Sequence, residues 1–427
     1  MRTFALLVLL SIVVSCSQTL ERNDFAMVEG GQFIVNGEPY YFMGTNMWYA
    51  VILASEGEGG DTLRLFKELD LLKESGIDNI RVLVGAEGES GVHSKIEPIL
   101  QPEPGLYNDT LLRGLDRLMV ELGKRGMKAV LYLGNSWEWS GGFSQYLMWS
   151  GAGTAPIPAI SGWIPFRDYA AKFVFCDSCK RMYGNHVEFI VSRINTITGE
   201  PYSEDPAIFS WQVANEPRAF SDEGKESFFN WIVSVAMLIK SIDKNHMVST
   251  GSEGLYGCEV DMNLYERIHS SEYIDYLNMH IWPYNWGWSS RDSVEEKLDN
   301  SIRETEKYIL SHVEVAERLN KPLALEEFGY PRDGFSFART SGVKARDKYF
   351  KFIFNYLKKS SSEGGALAGV NFWGWGGYAD TLQGRFDWQR GDPYTGDPAQ
   401  EPQGLYSVFA SDTTTLELIR QFGQTSF

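Results

Sequence analysis

The stretch Ile208-Phe-Ser-Trp-Gln-Val-Ala-Asn-Glu-Pro-Arg218 decides the fold, because in it an apolar run stops at a carboxylate and a proline. The apolar part, residues 208–214, predicts a buried strand. Since Pro217 halts the run, the pattern places Asn215 and Glu216 at the rim of a sheet, where polar groups can meet a ligand. A second stretch, Pro322-Leu-Ala-Leu-Glu-Glu-Phe-Gly329, ends in the same way. Carboxylates are therefore expected at two strand ends.

Strand-like and helical patterns alternate along the rest of the chain. The predicted strands cover residues 38–46, 78–84, 128–133, 208–214, 247–251, 273–280, 322–327 and 367–372. The predicted helices cover residues 62–75, 109–125, 167–197, 225–242, 293–319, 344–359 and 413–422. A hairpin with the turn Val35-Asn-Gly37 precedes them. This alternation predicts an α/β fold, a (β/α)8 TIM barrel with enlarged strand-to-helix loops.

The alternative α/β architecture is a doubly wound sheet, which would need a glycine-rich phosphate turn after the first strand. Gly44-Thr-Asn-Met47 does not supply one. In a barrel, active-site residues lie at the C-terminal ends of the strands. The predicted ends carry polar, acidic and aromatic side chains: Asn46, Trp48, Arg81, Asn135, Trp137, Asn215, Glu216, His280, Trp282, Glu327 and Trp373. Indole faces stack on the C–H faces of sugar rings, so this set favours a polysaccharide ligand.

The composition of the chain argues against several classes of binding partner. The 427 residues carry a formal net charge of -17 without a prominent Lys/Arg cluster, which argues against nucleic acid or an anionic membrane surface. Aromatic residues make up 14% of the chain, which is compatible with a neutral ligand. The histidines outside the predicted site show no ligand spacing: His93, His186, His246, His269 and His312. We therefore expect no metal and no cofactor.

The N-terminus resembles a targeting segment. Met1-Arg-Thr is followed by an apolar run over residues 4–14 that is too short to span a bilayer. Val13-Val-Ser-Cys16 resembles a bacterial lipobox, which implies a signal peptide over 1–15, lipidation of Cys16, a tether over 16–24 and one catalytic domain over 25–427. Ser17 and Gln18, rather than Asp, follow the cysteine. By resemblance to lipoproteins of Gram-negative bacteria, this favours the outer membrane, without indicating on which face of it the protein lies. Alternatively, Cys16 simply belongs to the signal peptide.

Three further cysteines are expected to be structural. In an oxidising compartment Cys176 and Cys179 can form a disulfide that leaves Cys258 unpaired, although the sequence does not fix the pairing. A single C-x-x-C motif supplies too few ligands for a metal site.

The motifs together resemble glycoside hydrolase family 5, and in particular its endo-β-1,4-mannanase subfamily. The resemblance runs from about residue 25 to the C-terminus. It rests on Gly44-Thr-Asn-Met-Trp-Tyr49, Ile80-Arg81, Arg193-Ile-Asn-Thr-Ile-Thr-Gly199, the stretch from Asp205 to Arg218, Glu326-Glu-Phe-Gly329 and Asn371-Phe-Trp-Gly-Trp-Gly-Gly377. The N-E-P-R end with the upstream N-T-x-T-G is fairly specific to mannanases, whereas N-E-P alone is widespread among related hydrolases.

The resemblance implies roles for single residues. Glu216 matches the acid/base and Glu327 the nucleophile, while Glu326 is expected to point away because successive strand residues face opposite sides. Asn215 matches a contact to the sugar 2-hydroxyl, and Arg218 a residue on the aglycone side.

Around these residues, Arg81 and His280 match the shell of the nucleophile, and Trp373 matches the platform under the sugar being cleaved. Many members have a tyrosine where this chain has Trp282. An indole N–H donates but cannot accept a hydrogen bond, so Tyr284 is an alternative partner for the nucleophile.

Two carboxyl groups roughly 5–5.5 Å apart would allow direct attack on the anomeric carbon with retention of configuration. Arg81 should depress the pKa of Glu327, and an apolar or negative environment should keep Glu216 protonated. The expected function is a monomeric, retaining endo-β-1,4-mannanase that cleaves internal bonds of mannan, glucomannan, galactomannan or manno-oligosaccharides.

Two kinds of alternative stay open. One is another family 5 specificity, a β-1,4-glucanase or an exo-β-mannosidase, since loops such as residues 151–156 could close one end of the cleft. The other is a non-catalytic, surface glycan-binding lipoprotein.

Overall fold

A small antiparallel sheet precedes the barrel in the computed structural model, which describes residues 24–92, 94–380 and 385–424. Its strands are β1 (Met27–Glu29), β2 (Gln32–Val35) and β3 (Glu38–Pro39). The predicted hairpin turn is confirmed, with φ of 56° at Asn36 and 81° at Gly37. Phe33 on β2 packs edge-on against Phe209 and Tyr276, each at 5.1 Å between ring centroids, and joins an apolar cluster with residues of the barrel strands.

The eight predicted barrel strands are present and form one parallel sheet. They are β4 (Phe42–Asn46), β5 (Asn79–Leu83), β6 (Lys128–Tyr132), β7 (Ile208–Gln212), β8 (Met247–Ser249), β9 (Leu277–Ile281), β10 (Leu323–Phe328) and β11 (Leu367–Phe372). The order β8-β7-β6-β5-β4-β11-β10-β9 places the first and last strands side by side, as closure into a barrel requires. All eight strands are buried, apart from Lys128 at the start of β6, which is partly exposed. The predicted (β/α)8 barrel is confirmed.

Helices lie between the strands. They are α1 (Ala50–Ala54), α2 (Thr62–Glu74), α3 (Asp109–Lys124), α4 (Gly142–Trp149), α5 (Pro158–Ser161), α6 (Trp163–Ala170), α7 (Asp177–Val191), α8 (Lys225–Ile242), α9 (Met262–His269), α10 (Leu298–Leu319), α11 (Lys344–Glu363) and α12 (Thr413–Gly423). A short parallel pair, β12 (Trp375–Gly377) and β13 (Val408–Phe409), follows β11. The loops after β6 and β11 are long, as the prediction of enlarged strand-to-helix loops requires.

The single helix predicted over residues 167–197 is wrong. The segment divides into α6, a short 3-10 turn at Phe173–Phe175 and α7. Extended backbone at Cys176 separates the last two, and this residue forms the expected disulfide with Cys179. Cys258 is buried and free. Helical periodicity alone did not reveal this break, because the cysteine is compatible with either conformation.

The stretch Arg193-Ile-Asn-Thr-Ile-Thr-Gly199 has a structural contact with α3. The Arg193 guanidinium donates two hydrogen bonds, of 2.8 and 2.7 Å, to the buried Asp116 carboxylate. Thr196 and Tyr202 donate to the same carboxylate at 2.6 and 2.7 Å. The four donors fix the loop that leads from α7 into β7, and so help to set the position of the Asn215–Glu216 strand end.

The N-terminal assignments stay predictions. The signal peptide over 1–15, the lipidation of Cys16 and all but residue 24 of the tether lie outside the described residues. None of the helices in the described part of the chain is long and apolar enough to cross a membrane.

Candidate active site

Two carboxylates meet at the C-terminal end of the barrel. Glu216 follows β7 and Glu327 ends β10, and both line a cavity of about 1100 Å³. One carboxylate oxygen of each lies within 4.8 Å of the other and of a ring nitrogen of His280. The two acidic strand ends predicted from the sequence therefore converge on one cleft.

The backbone at Glu216 is held in a left-handed conformation, with φ of 47°. Few non-glycine residues adopt this region, and those that do are often held there by their surroundings. The Glu216 amide donates to the Gly251 carbonyl at 2.9 Å, and the Ser136 hydroxyl donates to the Glu216 carbonyl. These bonds to the loops after β6 and β8 direct the side chain into the cleft.

Arg81 on β5 organises the floor of the site. Its guanidinium is fully buried and donates to a Glu327 oxygen at 2.5 Å, to Asn215 Oδ1 at 2.8 Å and to Gln212 Oε1 at 2.8 Å. Its carbon Cζ also lies 4.3 Å from the ring centroid of Tyr132. One cation thus fixes the carboxylate at the end of β10 and the amide at the end of β7 in a single network.

His280 bridges the two carboxylates. Its Nδ1 lies 2.8 Å from an oxygen of Glu216 and 3.3 Å from an oxygen of Glu327. Burial, together with the positive charges of Arg81 and Arg218, holds the pKa of His280 well below its usual value. The neutral ring with its proton on Nδ1 satisfies this geometry, because that proton can be donated to a carboxylate.

Trp282 occupies the position for which the family resemblance leads us to expect tyrosine. Its indole Nε1 donates to Glu327 at 3.2 Å. Tyr284, the alternative partner, packs against Phe335 at 4.7 Å between ring centroids and lines the cavity. The hydrogen bond to Glu327 therefore comes from the indole and not from the Tyr284 hydroxyl.

A β-bulge changes the position expected for Glu326. The pairing of β10 with β9 shifts register between Leu325 and Glu327. The Glu326 carboxylate is buried and accepts hydrogen bonds from Gln212 Nε2, from Tyr276 Oη at 2.9 Å and from Asn278 Nδ2 at 2.7 Å. Because β7, which carries Gln212, is not a neighbour of β10 in the sheet, these bonds cross the barrel interior. Glu326 does not line the cavity, so it points away from it as predicted. It faces the barrel interior and not the opposite side of the strand, since the bulge interrupts the alternation.

The Glu326 network leads to a stability prediction. Glu326→Gln would turn an amide N–H2 toward donors and leave at least one buried donor unpaired, which costs about 1–3 kcal/mol of unfolding free energy. Urea unfolding monitored by tryptophan fluorescence measures this loss. The exposed Glu417→Gln on α12 is the matched control, and we expect it to change stability by less than about 0.5 kcal/mol. Equal midpoints for both variants would contradict the role given to the network.

Burial raises the pKa of Glu216, against the opposing charge of Arg218. Burial also raises the pKa of Glu327, the Glu216 carboxylate adds to the rise, and Arg81 opposes it. Arg81 lowers the pKa of Glu327, as predicted, but burial and the Glu216 carboxylate outweigh this effect and the net pKa is raised. Two carboxyl groups this close titrate as one coupled unit.

Most of the predicted site residues line the cavity: Trp137, Asn215, Glu216, Arg218, Trp282, Tyr284, Glu327 and Trp373. Arg81 and His280 lie directly beneath them, in contact with the carboxylates. Trp137 donates through Nε1 to Glu216 at 2.5 Å. These ten residues form one continuous site.

Two predicted ligand contacts are corrected. Trp48 is buried in the core, where its N–H donates to the Gly396 carbonyl at 3.1 Å and its ring packs on Trp139 and Tyr394. Asn135 is buried below the cavity and accepts from the Trp137 amide at 3.1 Å. The strand-end rule located both residues correctly along the chain, but it does not give the direction in which a loop side chain points.

Several cavity residues were missed from the sequence. Glu253 follows β8 and forms a buried ion pair with Arg218, and burial raises its pKa to about 8. It could have been found, because it follows a strand end. Gln400 and Glu401 lie on the long loop after β11, where no sequence signal indicated them. Burial, with Asp397 and Glu216 nearby, raises the pKa of Glu401 to about 8.

Some polar atoms of this cavity are free within the described residues. The Trp373 indole N–H, Gln400 Oε1 and Glu401 Oε2 are buried without a hydrogen-bond partner there. Buried polar groups are normally paired, so these atoms are available to the hydroxyl groups of a ligand.

Glu216, His280 and Glu327 each offer one atom that could be a ligand to a cation. The guanidinium of Arg81 already lies 2.5 Å from Glu327, and that of Arg218 raises the local positive potential. This electrostatic environment disfavours a divalent ion at that point.

Comparisons with known proteins agree with this geometry. A family model described as glycoside hydrolase family 5, β-mannosidase-like, matches residues 23–426. A putative mannan endo-1,4-beta-mannosidase 9 from Oryza sativa subsp. japonica is 31% identical over 371 residues, which cover 82% of this chain and 81% of the relative. Mannan endo-1,4-beta-mannosidase 4 from Solanum lycopersicum is 28% identical over 368 residues, with 84% of each chain covered.

Solved structures of glycoside hydrolases are also similar to this chain. A glycoside hydrolase family 5 mannosidase variant from Rhizomucor miehei, in complex with mannosyl-fructose, superposes with a TM-score of 0.86 and 31% identity over 94% of this chain and 97% of that one. An endo-β-1,4-mannanase from Thermotoga petrophila, at 24% identity and a TM-score of 0.67, covers 91% of this chain and 77% of its own, and supports the fold alone. By its family match and its barrel, this chain is a member of glycoside hydrolase family 5, β-mannosidase-like.

Proposed function

We propose that this enzyme hydrolyses internal β-1,4-mannosidic bonds of mannans with retention of configuration. The proposal is carried by the two carboxylate oxygens of Glu216 and Glu327, which lie within 4.8 Å of each other in one cavity. Carboxyl groups about 5–5.5 Å apart belong to the retaining mechanism, whereas inverting enzymes leave room for a water between theirs. The plant relatives named as mannan endo-1,4-beta-mannosidases support the substrate class.

In the first step, Glu327 attacks the anomeric carbon while Glu216 gives its proton to the glycosidic oxygen. The glycosidic C–O bond breaks, an ester bond to Glu327 forms, and the departing sugar leaves with a new hydroxyl group. In the second step, Glu216 takes a proton from water, the water oxygen attacks the anomeric carbon, and the ester bond breaks. Two inversions at one carbon give net retention.

The distribution of charge favours these two roles. Arg81 and Trp282 both donate directly to Glu327, which favours the anionic form of this side chain, although burial raises the pKa of both carboxyl groups. Glu216 receives hydrogen bonds from Trp137 and His280 but no direct ion pair from Arg81. In the proposed mechanism the proton shared by the pair resides on Glu216, and the ester formed on Glu327 removes the charge that holds it there.

The pH profile follows from the raised pKa of Glu216. This carboxyl keeps its proton to a higher pH than an ordinary glutamate, and activity is lost as the pH rises through the raised pKa. Activity is also lost toward low pH, where Glu327 becomes protonated. We expect a bell-shaped profile of kcat/KM.

The measurement uses phenyl β-mannoside, whose basic leaving group needs the proton, so that kcat/KM of the wild-type enzyme has both limbs. With this substrate, Glu216→Gln should keep the acidic limb of kcat/KM and lose the basic limb. A basic limb that stays at the same pH in the variant would assign that ionisation to another group.

An exo-acting mannosidase is the second candidate, and two observations favour it. The loop with Pro398, Gln400 and Glu401 forms part of the cavity wall, and the fungal structure with a TM-score of 0.86 is named a mannosidase. Products of a brief mannohexaose digest separate the two modes. Mannobiose and mannotriose at early times support endo action, whereas mannose as the sole early product supports exo action.

Parallel assays on mannan, β-glucan and xylan test the polysaccharide class. Release of reducing sugar from mannan in excess of the other two is expected. Equal release from glucan would favour a glucanase. Binding of mannan without release by the wild-type protein, at the level of Glu327→Ala, would favour the glycan-binding alternative.

A further inference from the structure

An exposed indole, that of Trp163, lies at the edge of the active-site cavity. Trp163, the first residue of α6, is 52% exposed and lines the same cavity as Glu216 and Glu327. Other large apolar side chains of the described chain are as exposed, including its neighbours Ile160 at 73% and Ile164 at 74%, but none of those lines the cavity. Trp163 thus exposes a large apolar surface to water beside a ligand cleft, and packing within the chain does not explain this exposure.

The ring of Trp163 is held in place from below. It packs edge-on against Trp137, with 5.6 Å between centroids and an angle of 85°, and against Phe166 at 6.2 Å. Phe166 is fully buried, so this support belongs to the core. The side chain is therefore pre-organised, and a ligand that covers it has little side-chain freedom to remove.

The position of the ring relative to the carboxylates is defined by two contacts. Trp137 donates to Glu216, and the Arg218 guanidinium lies 5.5 Å from the Trp137 ring centroid. Trp163 contacts the same Trp137, so it lies one aromatic ring farther from Glu216. Arg167 on the same helix pairs with Glu259, whose charge also acts on Arg218, which places this helix near Arg218. The cavity thus continues past Arg218, on the side where the sugar released first would lie.

Polar groups accompany the ring. Arg167, one turn later on α6, also lines the cavity and forms a 3.6 Å ion pair with Glu259, and its side chain is 45% exposed. An indole surface with a neighbouring guanidinium offers both an apolar face and hydrogen-bond donors, the combination that a pyranose ring with its hydroxyl groups requires.

We propose that Trp163 is an outlying sugar platform, which binds a mannosyl unit of the leaving chain beyond the unit next to the cleaved bond. The proposal rests on the proposed function for its choice of sugar. Its consequence is a preference for long chains: a substrate that reaches Trp163 gains binding, and a substrate that ends before it gains none. Because the platform lies away from the reacting atoms, it contributes equally to the ground state and the transition state.

The test compares Trp163→Ala with Ile164→Ala, a control at the next position of the same helix that is more exposed but does not line the cavity. For mannohexaose, Trp163→Ala should raise KM about threefold to tenfold, the size of one aromatic contact, with kcat unchanged. For 4-nitrophenyl β-mannoside, KM should stay at the wild-type value. Ile164→Ala should leave both substrates unaffected.

A binding measurement makes the test independent of turnover. Calorimetric titration of mannohexaose into Glu327→Gln protein, with and without Trp163→Ala, should show the same threefold to tenfold loss of affinity. An unchanged affinity, or an equal loss for the short aryl mannoside, would overturn the platform. If the wild-type protein bound mannohexaose but did not cleave it, the proposed function would fail, and the affinity ratio would still decide the platform.

Discussion

Replacing Glu327 with alanine is expected to lower kcat by roughly 10⁴-fold or more, the loss found when a covalent nucleophile is removed. The alanine has no group to attack the anomeric carbon, and Arg81 loses the carboxylate that it contacts at 2.5 Å. Arg81 keeps its hydrogen bonds to Asn46, Gln212 and Asn215, so we expect the fold to persist. The exposed acid Glu89, which lies outside the cavity, is the control, and its alanine variant should have wild-type kcat.

Added azide shows whether Glu327 is the nucleophile or the acid/base. In Glu327→Ala, azide can enter the space left by the carboxylate and attack an activated aryl β-mannoside from the side opposite to the leaving group. The product would be the α-mannosyl azide, which proton NMR distinguishes from the β form. Recovery of activity with a β-configured product would show that the residue lost was the acid/base.

Glu216→Ala should have the second largest effect, a loss of about 10² to 10⁴-fold in kcat on mannan, which is the range for general acid–base catalysis. The glycosidic oxygen of a polysaccharide is a poor leaving group and needs the proton that Glu216 holds. A 2,4-dinitrophenol leaving group needs none, so formation of the glycosyl enzyme from that substrate should be slowed far less.

Single-turnover kinetics separate these effects. With 2,4-dinitrophenyl β-mannoside, Glu216→Ala should release a burst of phenolate and then turn over slowly, because the second step lacks its base. Azide should accelerate the slow phase and give the β-mannosyl azide. Absence of a burst, with an equal loss on both substrates, would mean that Glu216 does not supply the proton.

Much of the fold was predictable because its signals are local. Apolar runs such as 208–214 and 322–327 can be recognised without knowledge of their neighbours, and the barrel rule then collects their ends on one face. Glu216 and Glu327 were found in this way, as were Arg81 and His280. Each of these residues lies on a strand or directly after one, so its sequence position fixed its place in space.

The residues that were missed or misplaced depend on non-local geometry. The bulge in β10 turns Glu326 into the barrel, and nothing in Glu-Glu-Phe-Gly distinguishes it from a regular strand. Trp48 follows a strand end, yet it packs into the core against Trp139 and Tyr394. Glu401 comes from a long loop whose path is set by tertiary packing. Periodicity and strand-end position carry no information on such paths.

The pKa of Glu327 is a further example. The sequence identified Arg81 as its partner, and the ion pair is present. The extent of burial, which decides the sign of the shift, arises only when eight strands and their loops close over the site. The identities of the residues were enough to predict the ion pair, whereas the direction of the pKa shift depends on the tertiary structure.

The central claim is that Glu327 becomes covalently bonded to the sugar, and trapping this ester tests it most directly. With 2-deoxy-2-fluoro-β-mannosyl fluoride, Glu327 should displace fluoride and form an ester that hydrolyses slowly enough for proteolysis and mass spectrometry. Fragmentation of the peptide that contains Glu326 and Glu327 should place the added mass on Glu327, and Glu327→Gln should remain unlabelled. A label on Glu326 or Glu216, or an active enzyme that takes no label and releases the α-anomer first, would contradict the account.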